Sequence, residues 1–422
     1  MAIFFRGRIR WVLVAWMFAI SAVAYLDRVN ISIAGGSIER EFRLSHVQLG
    51  WVFSAFGLGY ALFQAPGGRL ADRFGPRRII ALGALWWGVF TSLTALVPSG
   101  IAGMLVVLLG VRFLLGLGEA VVYPACNRLV ASWIPSQERG LANGWIFAGV
   151  GAGAGITPPL ITWLLVHYGW RWSFWASALL GLAAGAVWLA IARDRPRDHP
   201  WVDAAEAEHI RAGLPHKSTA VAAPWRSILG SRDVLAIAAS YFTYGYAAYI
   251  YFTWFFLYLS SVRGMDLKTS AWYGMLPFLA MAMASPLGGW ISDRLTRRRG
   301  KRVGRCRFAA ATMALSGGFI ALAMLATNAQ LASLILAGGA GALYLAQSSF
   351  WSVTADLAGS SAGAVSGVMN MGAQLGGVVT ASLTPLIAAH FGWPASFLTA
   401  AALCLAGAGA WLFIDPSATL TT

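Results

Sequence analysis

The sequence predicts an all-α membrane protein in which twelve transmembrane helices form two parallel six-helix repeats. Composition is the first of three observations behind this. Of the 422 residues, 58% are hydrophobic and 11% are charged, with a mean hydropathy of +0.65. Soluble domains carry about 25% charged residues. The second observation is that apolar runs of about 20 residues, long enough to cross a bilayer, recur from end to end. The third is internal repetition. "GGRLADRFGPRR" (67–78) returns as "GGWISDRLTRRR" (288–299), and "HYGWRWSF" (167–174) returns as "HFGWPASF" (390–397). The two offsets, 221 and 223 residues, nearly coincide, so the halves share one orientation.

Spans are expected near 11–35, 47–70, 79–98, 101–124, 142–166 and 172–192, then near 233–259, 270–292, 307–327, 330–355, 363–389 and 395–414. Lipid offers backbone groups no water, so each span must be a helix that satisfies its own N–H and C=O groups. The halves are expected at 1–192 and 233–422, joined by a polar linker at 193–232. Within the linker, "DAAEAEHIRAGL" (203–214) starts a short helix, with Asp203 as its N-cap and Glu206 three residues on.

A net charge of +15 raises the question of a nucleic-acid partner, and the placement of the charge argues against one. Arginines crowd the amino terminus, Arg73, Arg77 and Arg78, the linker, and "RLTRRRGKRVGRCR" (294–307). Loops near 99–101 and 328 hold no Lys or Arg; the loop near 359–362, which the span count puts on the arginine side, holds none either. That alternation is the positive-inside pattern of a multi-pass protein of the cell's inner membrane with both termini cytoplasmic. The first apolar run is too long for a cleavable signal peptide. Cys126, Cys306 and Cys404 are scattered, with neither a disulfide framework nor a metal site in their spacing, and no cofactor is expected. Nor is an enzyme or receptor: the chain has no HExxH and no P-loop, and its termini leave no room for a soluble domain.

Against this apolar background, four ionisable residues lie well inside the expected spans: Asp27 and Arg28 in the first, Arg112 and Glu119 in the fourth. Each costs roughly 2.5–3.5 kcal/mol at the bilayer centre, so each is a functional candidate. Arg112 and Glu119 are seven residues apart, on one helix face and about 10 Å from each other. Asp27 and Arg28 are adjacent, point about 100° apart and need separate partners. One reading is a neutral structural network, Asp27 with Arg112 and Arg28 with Glu119. The other leaves an arginine to bind an anion and carboxylates to take protons, with Glu119 in a partly dry pocket and no permanent direct partner. Buried ion pairs rarely repay their desolvation in stability, which favours the second.

The stretch "GRLADRFGPRR" (68–78) resembles the signature loop between helices 2 and 3 of the major facilitator superfamily, and its echo at 289–299 falls where that superfamily repeats it. The resemblance covers the whole chain and implies the major facilitator fold. Gly68 then allows close helix approach, Asp72 can cap a neighbouring helix, and Asp293 repeats it. The arginines that follow, from Arg73 and Arg294 onward, are expected to hold the loops cytoplasmic and to bridge helix ends between the halves.

Within the superfamily, "YLDRVN" (25–30), "GVRFLLGLGEA" (110–120) and "NRLVASWIPSQER" (127–139) are similar to the anion:cation symporter family, which includes galactonate, glucarate and hexuronate importers and vesicular glutamate and sialic acid carriers. The resemblance implies that Arg28 contacts a substrate carboxylate and that Asp27, Arg112 and Glu119 handle proton coupling. It also implies a cavity lined by Tyr25, Tyr60, Tyr244, Gln347, Ser348, Trp351, Asn370 and Gln374. Tyr244 stands where vesicular relatives carry an arginine, which argues against a multiply anionic substrate. The Gly-rich "GVGAGAGITPP" (149–159) lacks a polar side chain for a polyol and reads as a close-packing segment. The expected function is import of an organic anion, foremost a sugar acid such as an aldonate, aldarate or hexuronate, by proton symport in a monomeric carrier. An exporter or drug/proton antiporter, or an importer of small dicarboxylates or aromatic acids, is the alternative.

Overall fold

The computed structural model describes residues 8–44, 46–214, 223–255, 258–265 and 267–417, and among these no strand occurs. In the first half, α1 is Ile9–Phe42, α2 His46–Phe74 and α3 Pro76–Leu96. Helix α4 covers Met104–Trp133 with a break at Ala120 and Val121. Pro124 offers no N–H to the Ala120 carbonyl four residues back, so the helix cannot run through regularly. Helix α5 is Arg139–Tyr168 and α6 Trp170–Ile191. In the second half, α7 is Arg232–Tyr249, continued by a wider π turn at Ile250–Trp254, and α8 is Leu267–Arg299. Then follow α9 (Phe308–Leu325), α10 (Ala329–Ala358), α11 (Ala362–Phe391) and α12 (Trp393–Ala410). Helices α1, α4 and α8 outrun their expected spans, to Phe42, Trp133 and Arg299. Hydropathy marks the lipid-facing part, and the helices continue into polar rims.

Hydropathy and length alone single out eight stretches of the described chain as able to cross a membrane, one of them joining α10 and α11; α5 is missing from them, and so are α2 and α7. The last two carry polar residues that face inward: Tyr60 and Gln64 on α2, Tyr241 and Tyr244 on α7, all buried.

Packing reproduces the repeat helix by helix. In the first half α1 packs on α5 and α6, α2 on α4, and α3 on α4 and α6. In the second half α7 packs on α11 and α12, α8 on α10, and α9 on α10 and α12. Adding six to each helix number turns one list into the other. Local detail repeats as well. Gly169 and Gly392 open α6 and α12 at φ 85° and 82°, backbone that favours glycine. His167 and His390 bond the carbonyls of Trp163 and Leu386 at 2.8 and 2.9 Å. The glycines of α5 pack closely as expected: a Cβ at Gly149 or Gly153 would strike the Phe18 or Ala22 carbonyl of α1.

The halves meet where α2 packs on α11 and α5 on α8. Asp72 accepts hydrogen bonds from Gly363 N (3.0 Å) and Ala364 N (2.8 Å) at the start of α11. Its repeat mate Asp293 accepts from Gly140 N (2.9 Å) and Leu141 N (2.6 Å) at the start of α5. Each carboxylate satisfies orphan donors of the opposite half and faces the positive end of that helix. A Cβ at Gly68 would strike the Gly363 carbonyl, and one at Gly289 the Gly140 carbonyl, so glycine is required for the approach. Arg139 Nη1 bonds Asp356 at 2.5 Å with both side chains fully buried.

The bridging expected of the motif arginines is corrected in part. Arg73 and Arg294 are exposed, their guanidinium groups over their own helices' Phe74 and Trp290 rings, because they point away from the seam-facing Asp before them. Arg128 and Arg305, from neighbouring helices, sit 3.5 and 2.7 Å from Asp72 and Asp293 instead. Of the later arginines, Arg297 does reach across, donating to the Gln137 carbonyl at 3.1 Å.

The linker docks at this same end. Asp203 caps the helix Ala204–Gly213 by accepting from Glu206 N at 2.8 Å. Glu206 in turn accepts from Ile9 N and Arg10 N at 3.0 and 3.1 Å, fastening the start of α1. Linker residues 215–222 lie outside the described residues.

Truncating one partner of the Arg139–Asp356 pair strands a buried charge. Asp356→Ala is expected to lower stability by about 3–5 kcal/mol, and the double change Arg139→Met with Asp356→Leu by far less. Thermal unfolding of the detergent-solubilised variants measures both.

Candidate functional site

The four charges in the spans gather where α1, α3 and α4 meet. Arg28 Nη2 donates to Glu119 Oε1 at 2.6 Å. The Arg28 guanidinium carbon lies 4.3 Å from the Tyr60 ring centroid, 4.8 Å from Tyr25 and 5.2 Å from Phe56. Phe56 is shared, because Arg112 lies 5.0 Å from the same ring. Asp27 Oδ2 accepts from Thr91 Oγ1 at 2.9 Å, and its Oδ1 has no partner.

The expectation that Glu119 stands without a direct partner is therefore corrected. Among the described residues no hydrogen bond joins it to Arg112, two turns away along α4, whereas the long Arg28 side chain reaches it from α1. The neutral network is realised only in part: among the described residues no ion pair joins Asp27 to Arg112. Four further atoms are buried without a hydrogen-bond partner: Arg28 Nε, Arg112 Nε and Nη1, and Glu119 Oε2. Unpartnered buried atoms concentrated at one spot point to a ligand or a mobile proton.

Beside this cluster, between the halves, lies a small cavity of about 40 Å³. Of the contacts expected from sequence, Tyr25, Tyr60, Tyr244, Gln347, Asn370 and Gln374 line it, and Arg28, Ser348 and Trp351 do not. Arg28 lies behind Tyr25 and Tyr60. Ser348 is buried with a partnerless hydroxyl. Trp351 backs the wall, its Nε1 donating to Tyr241 OH at 3.0 Å and its ring 4.9 Å from Phe147.

Four lining tyrosines were not singled out in the sequence: Tyr123, Tyr241, Tyr249 and Tyr344. The signal for two of them was present, since Tyr241, Tyr244, Ala248 and Tyr249 recur at the spacing of one helix face. Toward the linker end the cavity is shut by amide bonds between the halves. Asn370 Nδ2 donates to Gln64 Oε1 at 2.9 Å, Asn127 Nδ2 to Thr354 Oγ1 at 2.9 Å, and Asn143 Nδ2 to Ser352 Oγ at 3.3 Å. The Asp72 and Asp293 caps lie beyond them.

Residues 17–381 match the family model of the Major Facilitator Superfamily. The chain belongs to this superfamily. It is a membrane transporter and not an enzyme. The chain is 35% identical over 402 residues to a probable sulfoacetate transporter, SauU, of Cupriavidus necator, a match covering 94% of this chain and 92% of the relative. It is 32% identical to a probable galactarate/D-glucarate transporter, GudP, of Escherichia coli, covering 89% and 86%. These relatives are named as anion carriers, consistent with the anion:cation symporter resemblance. Among solved structures, the proton:xylose symporter XylE superposes with a TM-score of 0.75 at 15% identity, covering 97% of both chains. That likeness establishes the fold alone.

Phe56 touches both cations, and Phe56→Leu removes two cation–π contacts of about 0.5–2 kcal/mol each. The variant is expected to lose about 1–4 kcal/mol of stability in thermal unfolding, while Phe56→Tyr retains most of it.

Proposed function

We propose that this transporter imports an organic anion, foremost a sugar acid, by proton symport through alternating access, with the linker end facing the cytoplasm. One observation carries the reading: Arg28, directly behind the cavity's tyrosines, is held by Glu119 at 2.6 Å. A single cation thus has two competing partners, the carboxylate of Glu119 and the acid group of an entering substrate.

When a substrate takes Arg28, Glu119 is left in the apolar interior without its counter-ion, and a carboxylate so placed takes a proton. Anion binding and proton uptake then accompany one another. Asp27, with a partnerless Oδ1, is a second carboxylate beside them that can take the proton on, with Arg112 a fixed positive charge nearby. Tyr25, Tyr60, Tyr244, Gln347, Asn370 and Gln374 supply hydrogen bonds to the rest of the substrate, with Ser348 and Trp351 supporting the wall. The Gly68, Asp72 and Asp293 contacts hold the cytoplasmic seam shut in this state, and Arg73 and Arg294 fix the topology. Support comes also from the relatives, named for sulfoacetate and for aldarates. The greater identity to the sulfoacetate carrier makes a small sulfonated acid the second reading.

The test is uptake into proteoliposomes under an inward proton gradient, with D-glucarate, D-galactonate and sulfoacetate as probes. Glu119→Gln mimics the protonated carrier. It is expected to exchange substrate across the membrane and to fail to concentrate it; accumulation equal to wild type would make Glu119 structural.

Arg28→Ala is expected to abolish binding and, by stranding buried Glu119 until it takes a proton, to lower the unfolding temperature. Arg28→Lys is expected to lose tenfold or more, about 1.4 kcal/mol, because a point charge reproduces neither the planar fork nor the stacking on Tyr60. Undiminished uptake by both variants would remove Arg28 as the anchor.

A further inference from the structure

Within the charge cluster, Asp27 is held from α3. Thr91 Oγ1 donates to Asp27 Oδ2 at 2.9 Å, with Thr91 fully buried and Asp27 1% exposed. The bond is not a by-product of helix packing, because α1 lies mainly against α5 and α6. Nor is it the default of a threonine inside a helix, whose hydroxyl commonly bonds a carbonyl one turn back. The α3 neighbours Ser92 and Thr94 do that, donating to the Gly88 and Phe90 carbonyls at 2.9 Å each. Thr91 forgoes the Trp87 carbonyl and reaches across to α1.

A hydroxyl has one proton to give. Spending it on Oδ2 leaves Oδ1, which has no partner, as the oxygen open to a proton. The charged groups that act on Asp27 are Arg28 on its own helix and Arg112 and Glu119 on α4. Among the described residues none of these three hydrogen-bonds it, and α3 brings no charge beyond Arg77 and Arg78 in its first turn. Thr91 is therefore the one described donor to this carboxylate. An ionised carboxylate only accepts, and one left without a donor in a dry interior is strongly disfavoured. Among the described residues no part of α3 lines the cavity, so Thr91 does not touch a substrate held there.

We infer that Thr91 is a positioning residue for proton coupling. It fixes the Asp27 carboxylate with Oδ1 free to bind and release a proton, and it supplies the donor that the ionised form requires. The inference rests on the proton-coupling reading of Asp27 and extends it to α3, which had no part in that reading. Its consequence is selective. Exchange of substrate for substrate runs through the loaded, protonated carrier and never needs ionised Asp27. Accumulation needs the carrier to give up its proton and return empty, and that leg passes through ionised Asp27. Without the Thr91 hydroxyl the return leg slows.

The test uses the full-length carrier in proteoliposomes with labelled D-glucarate and sulfoacetate as probes. It reads exchange at equal pH and accumulation under an inward proton gradient. Thr91→Val is expected to lower accumulation at least fivefold and exchange less than twofold. Thr91→Ala also lacks the donor and is expected to show the same split with a smaller side chain. Thr91→Ser keeps the hydroxyl and is expected to retain at least half of wild-type accumulation. Wild-type accumulation by Thr91→Val and Thr91→Ala overturns the inference. An equal loss of exchange and accumulation in both, the mark of a merely structural residue, overturns it too, as does Thr91→Ser falling as far as Thr91→Val. Asp27→Asn, run alongside, separates these failures from failure of the reading they rest on. If that variant accumulates substrate as wild type does, Asp27 has no part in coupling, and Thr91 loses its role with it. If neither probe moves in wild type, the anion-carrier reading itself fails.

Discussion

The transport site depends on one ion pair, Arg28 with Glu119 at 2.6 Å between α1 and α4, buried beside a cavity. Such a pair is a weak source of net stability, because desolvating two charges offsets most of their attraction. Breaking it without replacement is far worse, since either charge alone is stranded. The arrangement is therefore bistable in its partners: Arg28 must hold Glu119 or another anion, and Glu119 must hold Arg28 or a proton. The tyrosine rings around Arg28 fix the guanidinium in place while leaving its Nε without a hydrogen bond.

A second constraint makes this local exchange matter to the whole molecule. The seam between the halves is closed at the linker end by two symmetry-related carboxylates, each capping a helix of the other half, with glycines permitting the contact. These are polar contacts that water can replace when the halves part, unlike an apolar core. Between seam and cavity run amide bonds from Gln64, Asn127 and Asn143 to the second half. A ligand engaging Arg28 on one side and the tyrosine wall of α7 on the other would bias this same interface.

Much of the fold was legible because lipid leaves few options. Helical spans follow from the absence of water in the bilayer, the repeat is written in two motif pairs at one offset, and the packing follows the repeat pair by pair. The break in α4 has its cause in Pro124, which the span pattern does not mark, and the continuation to Trp133 was hidden because hydropathy ends before the helix does. The four charged residues were found for the same reason, that charge in lipid is conspicuous. Their pairing was legible only as one of two readings: Arg28 with Glu119 belonged to the neutral-network alternative, and spacing on α4 could not select it. Tyr123 and Tyr344 escaped notice because a single tyrosine in a span reads equally as core, belt or lining. The seam partners of Asp72 and Asp293, nearly three hundred residues away in one case, are a matter of tertiary register that motif arginines adjacent in sequence do not reveal.

The exchange of partners at Arg28 has a direct signature in proton stoichiometry. Adding a bound anion such as D-glucarate or sulfoacetate to weakly buffered, detergent-solubilised protein, with a pH indicator present, counts the protons exchanged on binding. At a pH where Glu119 starts ionised, the account expects about one proton taken up per substrate bound, none in Glu119→Gln, and affinity that strengthens as pH falls. Tight binding with no proton uptake and no pH dependence of affinity would show that the anion does not displace Glu119 from Arg28, and would contradict the account.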